Sequence, residues 1–202
     1  MSEALMSEGE DKANYVTREE FERLQKQLED LKGHCLQEDR GKEEADGLSI
    51  LVFSGSLDKA ISSLIIATGA KASGFDVTMF FSFWGTSILK KNGTSKAHKS
   101  FMEKMFGYLL PKDSTGLPLS QKNMLGLGPR ALRYMMKQKN ATSLEELIAV
   151  AQELEVKFSI CEMTMDLMGI DPQEIIDYPY LNYGGVTNFL ETANRGNVTL
   201  FI

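Results

Sequence analysis

The sequence predicts an α/β domain built on a mainly parallel sheet covered on both faces, a three-layer sandwich, preceded by an N-terminal helical arm. Three observations carry this expectation. Residues 48–53 and 76–81 are short apolar, β-branched or aromatic runs with little polar alternation, the pattern of strands buried on both sides, and 156–160 reads as a third strand. A helical pattern separates the first run from the second, so strand, helix and strand succeed one another as in a βαβ unit. The charge is unevenly spread: the net value is −6, with 14 Asp and Glu against 7 Lys and Arg in residues 1–46. Residues 47–202 carry 14 against 15, so an acidic arm precedes a nearly neutral domain.

The same balance excludes several classes of function. Neither part offers the basic surface that binding a phosphate backbone needs, so no nucleic-acid partner is expected. No apolar run approaches the roughly 20 residues that span a bilayer. The start, Met1-Ser2-Glu3-Ala4-Leu5, has neither the basic flank nor the apolar segment of a signal peptide, and the expected address is the cytoplasm. Two cysteines, Cys35 and Cys161, do not make a disulfide framework, and with His34 and His98 they do not make a zinc cluster; no metal or organic cofactor is expected.

In the arm, Thr17 and Glu20 form a capping-box pattern, and Phe21, Leu24, Leu28 and Leu31 come next at coiled-coil spacing. A helix this short needs a partner surface, either a second copy or its own domain. Residues 36–47, rich in charge with Gly41 and Gly47, form a linker, so the domain boundary falls at 46/47. In the domain, a strand at 48–53 leads through Ser54-Gly55-Ser56 into a helix over 57–72, with Ala60, Leu64, Ile65, Thr68 and Ala72 on one face and Gly74 closing it. A strand at 76–81 runs into Ser82-Phe83-Trp84-Gly85. Helices are expected near 97–108 and 129–138, around a loop with Pro111, Gly116 and Pro118. Ser143 caps a helix whose apolar face is Leu144, Leu147, Ile148, Ala151 and Leu154. The strand at 156–160 delivers Cys161 at its carboxyl end. Short helical segments at 164–168 and 172–176, a helix at 186–193 and a strand at 198–202 complete the chain.

Ligand sites in open parallel sheets form beyond the carboxyl ends of the strands. Three loops qualify: 54–59, 82–86, and the one that begins at Cys161. Only the last carries a nucleophile. Cys161 precedes a helical turn whose free N–H groups would favour the thiolate, while Glu162 and Asp166 would oppose it. From the residues alone it is either a reactive thiol or a small buried hydrophobe. Met163, Met165 and Met168 cannot share one helix face, so they divide between core and a soft pocket near the sulfur. Gly126-Leu127-Gly128-Pro129 has dinucleotide-fingerprint letters without a preceding strand, and is a loop entering a helix. Ser54-Gly55-Ser56-Leu57-Asp58-Lys59 is placed for a phosphate-binding turn but is not a Walker pattern.

The segment Cys161-Glu162-Met163-Thr164-Met165-Asp166-Leu167-Met168-Gly169-Ile170, then Tyr183-Gly184-Gly185-Val186 and the ending Asn197-Val198-Thr199-Leu200-Phe201-Ile202, resembles the DsrE/DsrF-like family. It is most similar to the branch called the peroxiredoxin family, a name that does not denote a thioredoxin fold. Ser56-Leu57-Asp58-Lys59 and Phe83-Trp84-Gly85-Thr86 match that branch's first and second loops. The resemblance implies a parallel sheet of about five strands, homo-oligomers and a place in sulfur trafficking. It implies a sulfur carrier or sulfurtransferase in which Cys161 holds sulfane sulfur as a persulfide. The donor and the acceptor thiol would belong to partners such as TusA-like or rhodanese-like proteins. Ser56, Asp58, Lys59, Trp84, Gly85, Met163, Met165, Gly184 and Gly185 would shape the pocket. The longer stretch 177–182 departs from the family pattern and reshapes the expected rim. Two other readings stand beside this one: a non-catalytic assembly or regulatory module with Cys161 in the core, and a thiol-disulfide reductase with Cys35 as resolving thiol.

Overall fold

A computed structural model of the chain describes residues 23, 26, 27, 46–91, 111, 113–121 and 123–202. Two compact units divide the chain, Met1–Glu44 and Ala45–Ile202. In the first, Arg23, Lys26 and Gln27 are helical and exposed. The capping pair, the apolar stripe, His34, Cys35, His98 and the helix expected at 97–108 lie outside the described residues.

Among its described residues the second unit contains five strands: β1 Gly47–Val52, β2 Asp76–Phe81, β3 Lys157–Cys161, β4 Leu181–Gly184 and β5 Val198–Phe201. They form one sheet in the order β4-β3-β2-β1-β5, and all four pairings are parallel. Its helices are α1 Leu57–Ala72, α2 Leu127–Gln138, α3 Leu144–Glu153, α4 Glu162–Met168 and α5 Val186–Arg195, with short 3₁₀ segments at Phe83–Leu89 and Pro172–Glu174. The α/β architecture and the five-stranded parallel sheet are as expected. No helix among the described residues is long and apolar enough to cross a membrane.

Strand alternation divides the side chains between two unequal layers. Ile50, Val52, Val77, Met79, Phe81, Phe158 and Ile160 join the main core with residues of α1 and α3. Each fully buried aliphatic here contributes about 1.5–3 kcal/mol through removal from water. Leu57, Ala60, Leu64 and Ala67 of α1 meet that core, whereas Ile65 is turned to solvent. The buried stripe is set by the sheet's position, which rotates the apolar face of α1 away from Ile65. Helix α3 begins with a full capping box: Glu146 N–H donates to Ser143 Oγ, and Ser143 N–H donates to the Glu146 carboxylate.

The opposite face of the sheet carries a thin layer. There Phe80 and Cys161 pack under Phe189 of α5, with Leu51 and Ala193 at the margin. Phe53, Leu190 and Phe201 remain exposed.

Strand β4 is the element that the pattern of residues did not signal. It has four residues, among them Asn182 and Gly184, which carry little strand preference. It forms because β3 offers an edge and Tyr178 fixes the approach. The Tyr178 ring stacks on Phe158 with centroids 4.1 Å apart, and its hydroxyl donates to the Val156 carbonyl at 2.7 Å. Burial, with Tyr180 adding to it, pushes the Tyr178 phenol far above its ordinary range, so the ring stays neutral and donating.

Candidate functional site

The carboxyl ends of β1, β2 and β3 are joined by a compact set of loops. Ser82 N–H donates to the Val52 carbonyl at 3.0 Å, and Gly85 N–H donates to Phe53 O at 3.2 Å. Between them Phe83 takes a left-handed φ of 47°, unusual for an aromatic residue. Thr164, wholly buried on α4, holds this elbow. Its Oγ1 accepts from Phe83 N–H at 3.1 Å and lies 3.3 Å from Ser82 Oγ. Thr164 is not one of the site residues that the sequence points to. A signal for it exists, since it is a hydroxyl residue in the first turn of the helix after β3.

Cys161 closes β3 and occupies the N-cap position of α4, with extended backbone. Its side chain makes no capping hydrogen bond to the helix. Alternation along β3 explains this: Phe158 and Ile160 face the main core, so Ser159 and Cys161 face α5. The cysteine is 5% exposed and packs with Phe80 and Phe189. Its parallel neighbour is Gly184, which pairs directly with Cys161 in the β3–β4 register. The space above that glycine is filled by Asn188 of α5. A Cβ built on Gly184 would stand 2.5 Å from Asn188 Nδ2 and 2.9 Å from its Cγ.

The nine pocket residues expected from sequence are distributed over several environments. Ser56, Lys59 and Trp84 line one cavity of about 630 Å³ at the end of β1, together with Phe53 and Pro118. Its described lining does not include Cys161. Ser54 and Ser56 share a hydroxyl–hydroxyl bond of 2.9 Å there, and the Lys59 ammonium sits 5.8 Å from the Phe53 ring centroid. Asp58 instead accepts from the Ser120 amide at 2.9 Å and from Ser120 Oγ, anchoring the 117–121 loop. Gly85 acts through its backbone, Met163 is 61% exposed, Met165 belongs to the main core, and Gly185 is the N-cap of α5. Gly184 is the one of the nine that pairs with the cysteine in the sheet register. Among the described residues no group of three or more His, Cys, Asp or Glu is placed to hold a metal ion.

Burial acts to raise the Asp58 carboxyl, but the two bonds from Ser120, helped by backbone amides, outweigh it and hold Asp58 below its ordinary value. A depressed carboxyl contributes stability that is present above its unfolded value and lost as pH falls through the folded one. Asp58→Asn is therefore expected to be less stable than wild type at pH 7, by under about 1 kcal/mol for so exposed a group. The gap should close below about pH 4, as read from urea midpoints at several pH values. A gap unchanged at pH 3 would remove the charged Asp58–Ser120 tie.

A model of the DsrE/DsrF/DrsH-like family matches residues 44–201. The chain belongs to that family. Two relatives match it over nearly their whole lengths. The uncharacterized protein YrkE of Bacillus subtilis (strain 168) is 41% identical over 160 residues, 79% of this chain and 99% of YrkE. The sulfur carrier protein DsrE2 of Allochromatium vinosum is 33% identical over 172 residues, 79% of this chain and 99% of DsrE2. Among solved structures, the YchN protein of E. coli covers 78% of this chain and 99% of its own, at 12% identity and a TM-score of 0.46.

Proposed function

We propose that this DsrE/DsrF/DrsH-like protein is a sulfur carrier whose cargo rides on Cys161. The thiolate attacks a sulfane sulfur, the donor's S–S bond breaks, and the donor leaves as a thiolate that takes up the proton. Cys161 then holds a persulfide, which an acceptor thiol on a partner protein removes. The observation that carries this reading is the cysteine's place at the carboxyl end of the interior strand β3, paired directly with Gly184 of β4. Membership of the family and the 33% identity to a sulfur carrier support it. The rim residues Phe53, Phe83 and Trp84, all exposed, and the apolar Leu190 and Phe201 would meet a partner such as a TusA-like or rhodanese-like protein, or further copies of this chain. The acidic arm, 1–46, would act as a separate helical appendage.

A second reading is favoured by one observation: Cys161 is buried between two phenylalanines, as a structural cysteine would be. In that case the protein is an assembly or regulatory module. A third, a thiol-disulfide reductase, needs Cys35 as resolving thiol. Incubation of Cys35→Ser protein with polysulfide should add the mass of one sulfur atom to the intact chain, and Cys161→Ala should remove that adduct entirely. Equal adducts on both proteins would end the carrier reading. No adduct, with Cys161 inert to alkylation in the native protein, would favour the structural one.

A further inference from the structure

Sulfur chemistry at Cys161 requires a way in. A second cavity, of about 300 Å³, lies beneath α5. Neither the rim cavity nor this one has Cys161 in its described lining, but the second reaches the rings that enclose it. Its lining includes Phe80 and Phe189, the two rings that enclose Cys161, together with Ser159, Asn182, Asn188 and Glu191. Ser159 stands two residues before Cys161 on the same face of β3, between Phe80 on one side and Asn182 on the other in the sheet register. It is 7% exposed, and its hydroxyl has no hydrogen-bond partner among the described residues. A buried hydroxyl left without a partner costs about 1–3 kcal/mol. Turned into a cavity, that unmet bond marks a place where a polar ligand would gain. Phe80 and Phe189 stand between cavity and cysteine, and beside them the Asn188 carboxamide lines the cavity and occupies the space above Gly184, the cysteine's direct neighbour.

We infer that the cavity beneath α5 is the entrance through which a small amino-acid-type hydropersulfide reaches Cys161, with Asn188 as its gate. This rests on the proposed carrier role of Cys161. A volume of about 300 Å³ sits at the lower end for small-ligand sites, which suits a molecule the size of cysteine hydropersulfide rather than a protein segment. Its walls offer the hydroxyl of Ser159 and the carboxamides of Asn182 and Asn188. Its lining also includes Lys157, already paired with Asp76 at 2.8 Å, and Glu191. Such a mixed, nearly neutral set suits a zwitterion and disfavours a dianion such as thiosulfate. The step balances: the Cys161 thiol and R–S–SH give the Cys161 persulfide and R–SH, with one S–S bond broken, one formed, and the proton transferred to the leaving thiol.

The test uses the full chain with Cys35→Ser, and reads the native alkylation rate of Cys161 by iodoacetamide alongside loading from cysteine hydropersulfide. Ser159→Leu, which fills the cavity, should slow both at least tenfold. Asn188→Ala, on the exposed surface of α5, should speed alkylation several-fold. Thr142→Trp, in the separate cavity beside α3, should leave both unchanged. If Ser159→Leu does not fold, Ser159→Val takes its place, and Asn188→Ala reads the gate independently. Wild-type alkylation rates in folded Ser159 and Asn188 variants would overturn the entrance, whatever the protein's function. Alkylation that responds as stated, with no sulfur loaded from cysteine hydropersulfide, would overturn the ligand and the carrier reading while the route remained.

Discussion

Gly85→Ala should destabilise the domain by about 3 kcal/mol or more, the upper end for forcing a methyl into packed surroundings. The reason is space. Gly85 has no left-handed φ, but an added Cβ would overlap the Val52 carbonyl oxygen and stand 2.8 Å from its carbon and 3.3 Å from Phe53 Cα. All of these atoms belong to backbone that cannot rotate away. The same Val52 oxygen accepts from Ser82 N–H, so moving it breaks the bond that joins the ends of β1 and β2. Gly69→Ala provides the contrasting sign. Gly69 sits within α1, where nothing lies within 4 Å of an added Cβ, and alanine should stabilise by about 0.5–1 kcal/mol. Urea unfolding measures both, and the fluorescence of Trp84, the one tryptophan in the chain, reports the loop beside Gly85. An alanine at 85 with wild-type stability and emission would show that the two loops do not approach so closely.

Glu174→Ala should cost about 3–5 kcal/mol, a large share of a typical domain's stability of about 5–15 kcal/mol. Lys90 and Glu174 are both buried, with Lys90 Nζ 3.6 Å from Glu174 Oε2. Around them the backbone forms an antiparallel bridge between Lys90 and Ile175, flanked by bonds from Lys91 N–H to Glu174 O and from Ile176 N–H to Leu89 O, each 2.9 Å. Removing the carboxylate leaves an ammonium out of water without its counter-charge, and that desolvation dominates the loss. Replacing both residues by apolar ones, Lys90→Met with Glu174→Leu, should recover part of it, because the Lys90 charge then no longer remains buried. The thermal midpoint should fall by on the order of 10 °C in the single variant. A single variant within about 1 kcal/mol of wild type would mean that the pair is solvated.

Much of the domain was legible as local pattern. The runs at 48–53, 76–81, 156–160 and 198–202 are strands, within a residue at each end, because short segments rich in β-branched and aromatic residues favour extended backbone. The helix bounds 57–72 come from an apolar periodic run that ends before Gly74, and the Ser143 cap from capping chemistry, both of which operate over a few residues. Strand β4 was not legible, since Leu181-Asn182-Tyr183-Gly184 becomes a strand through pairing with β3 rather than through its own preference. Of the candidate site, Gly184 stands beside Cys161, while Ser56, Lys59 and Trp84 gather around a different cavity. Asn188 takes its place through contacts that no short pattern announces, and the sign of Thr164 is only a hydroxyl in the first turn after β3. A clue to Ser159 lies in the alternation Phe158-Ser159-Ile160-Cys161, which places a hydroxyl on the face of the cysteine.

The amino-acid sequence by itself determined the parallel α/β scaffold, its caps and turns, and the delivery of a cysteine to the carboxyl end of a strand. These depend on neighbours a few residues apart, so short-range physics suffices. The tertiary structure decided which way the sulfur faces, what encloses it and where a ligand could approach. Those depend on sheet register, on α5 lying across the second face, and on an asparagine filling the space that a glycine leaves on the adjacent strand. Contacts between residues distant in the chain become defined only when the whole sheet has formed.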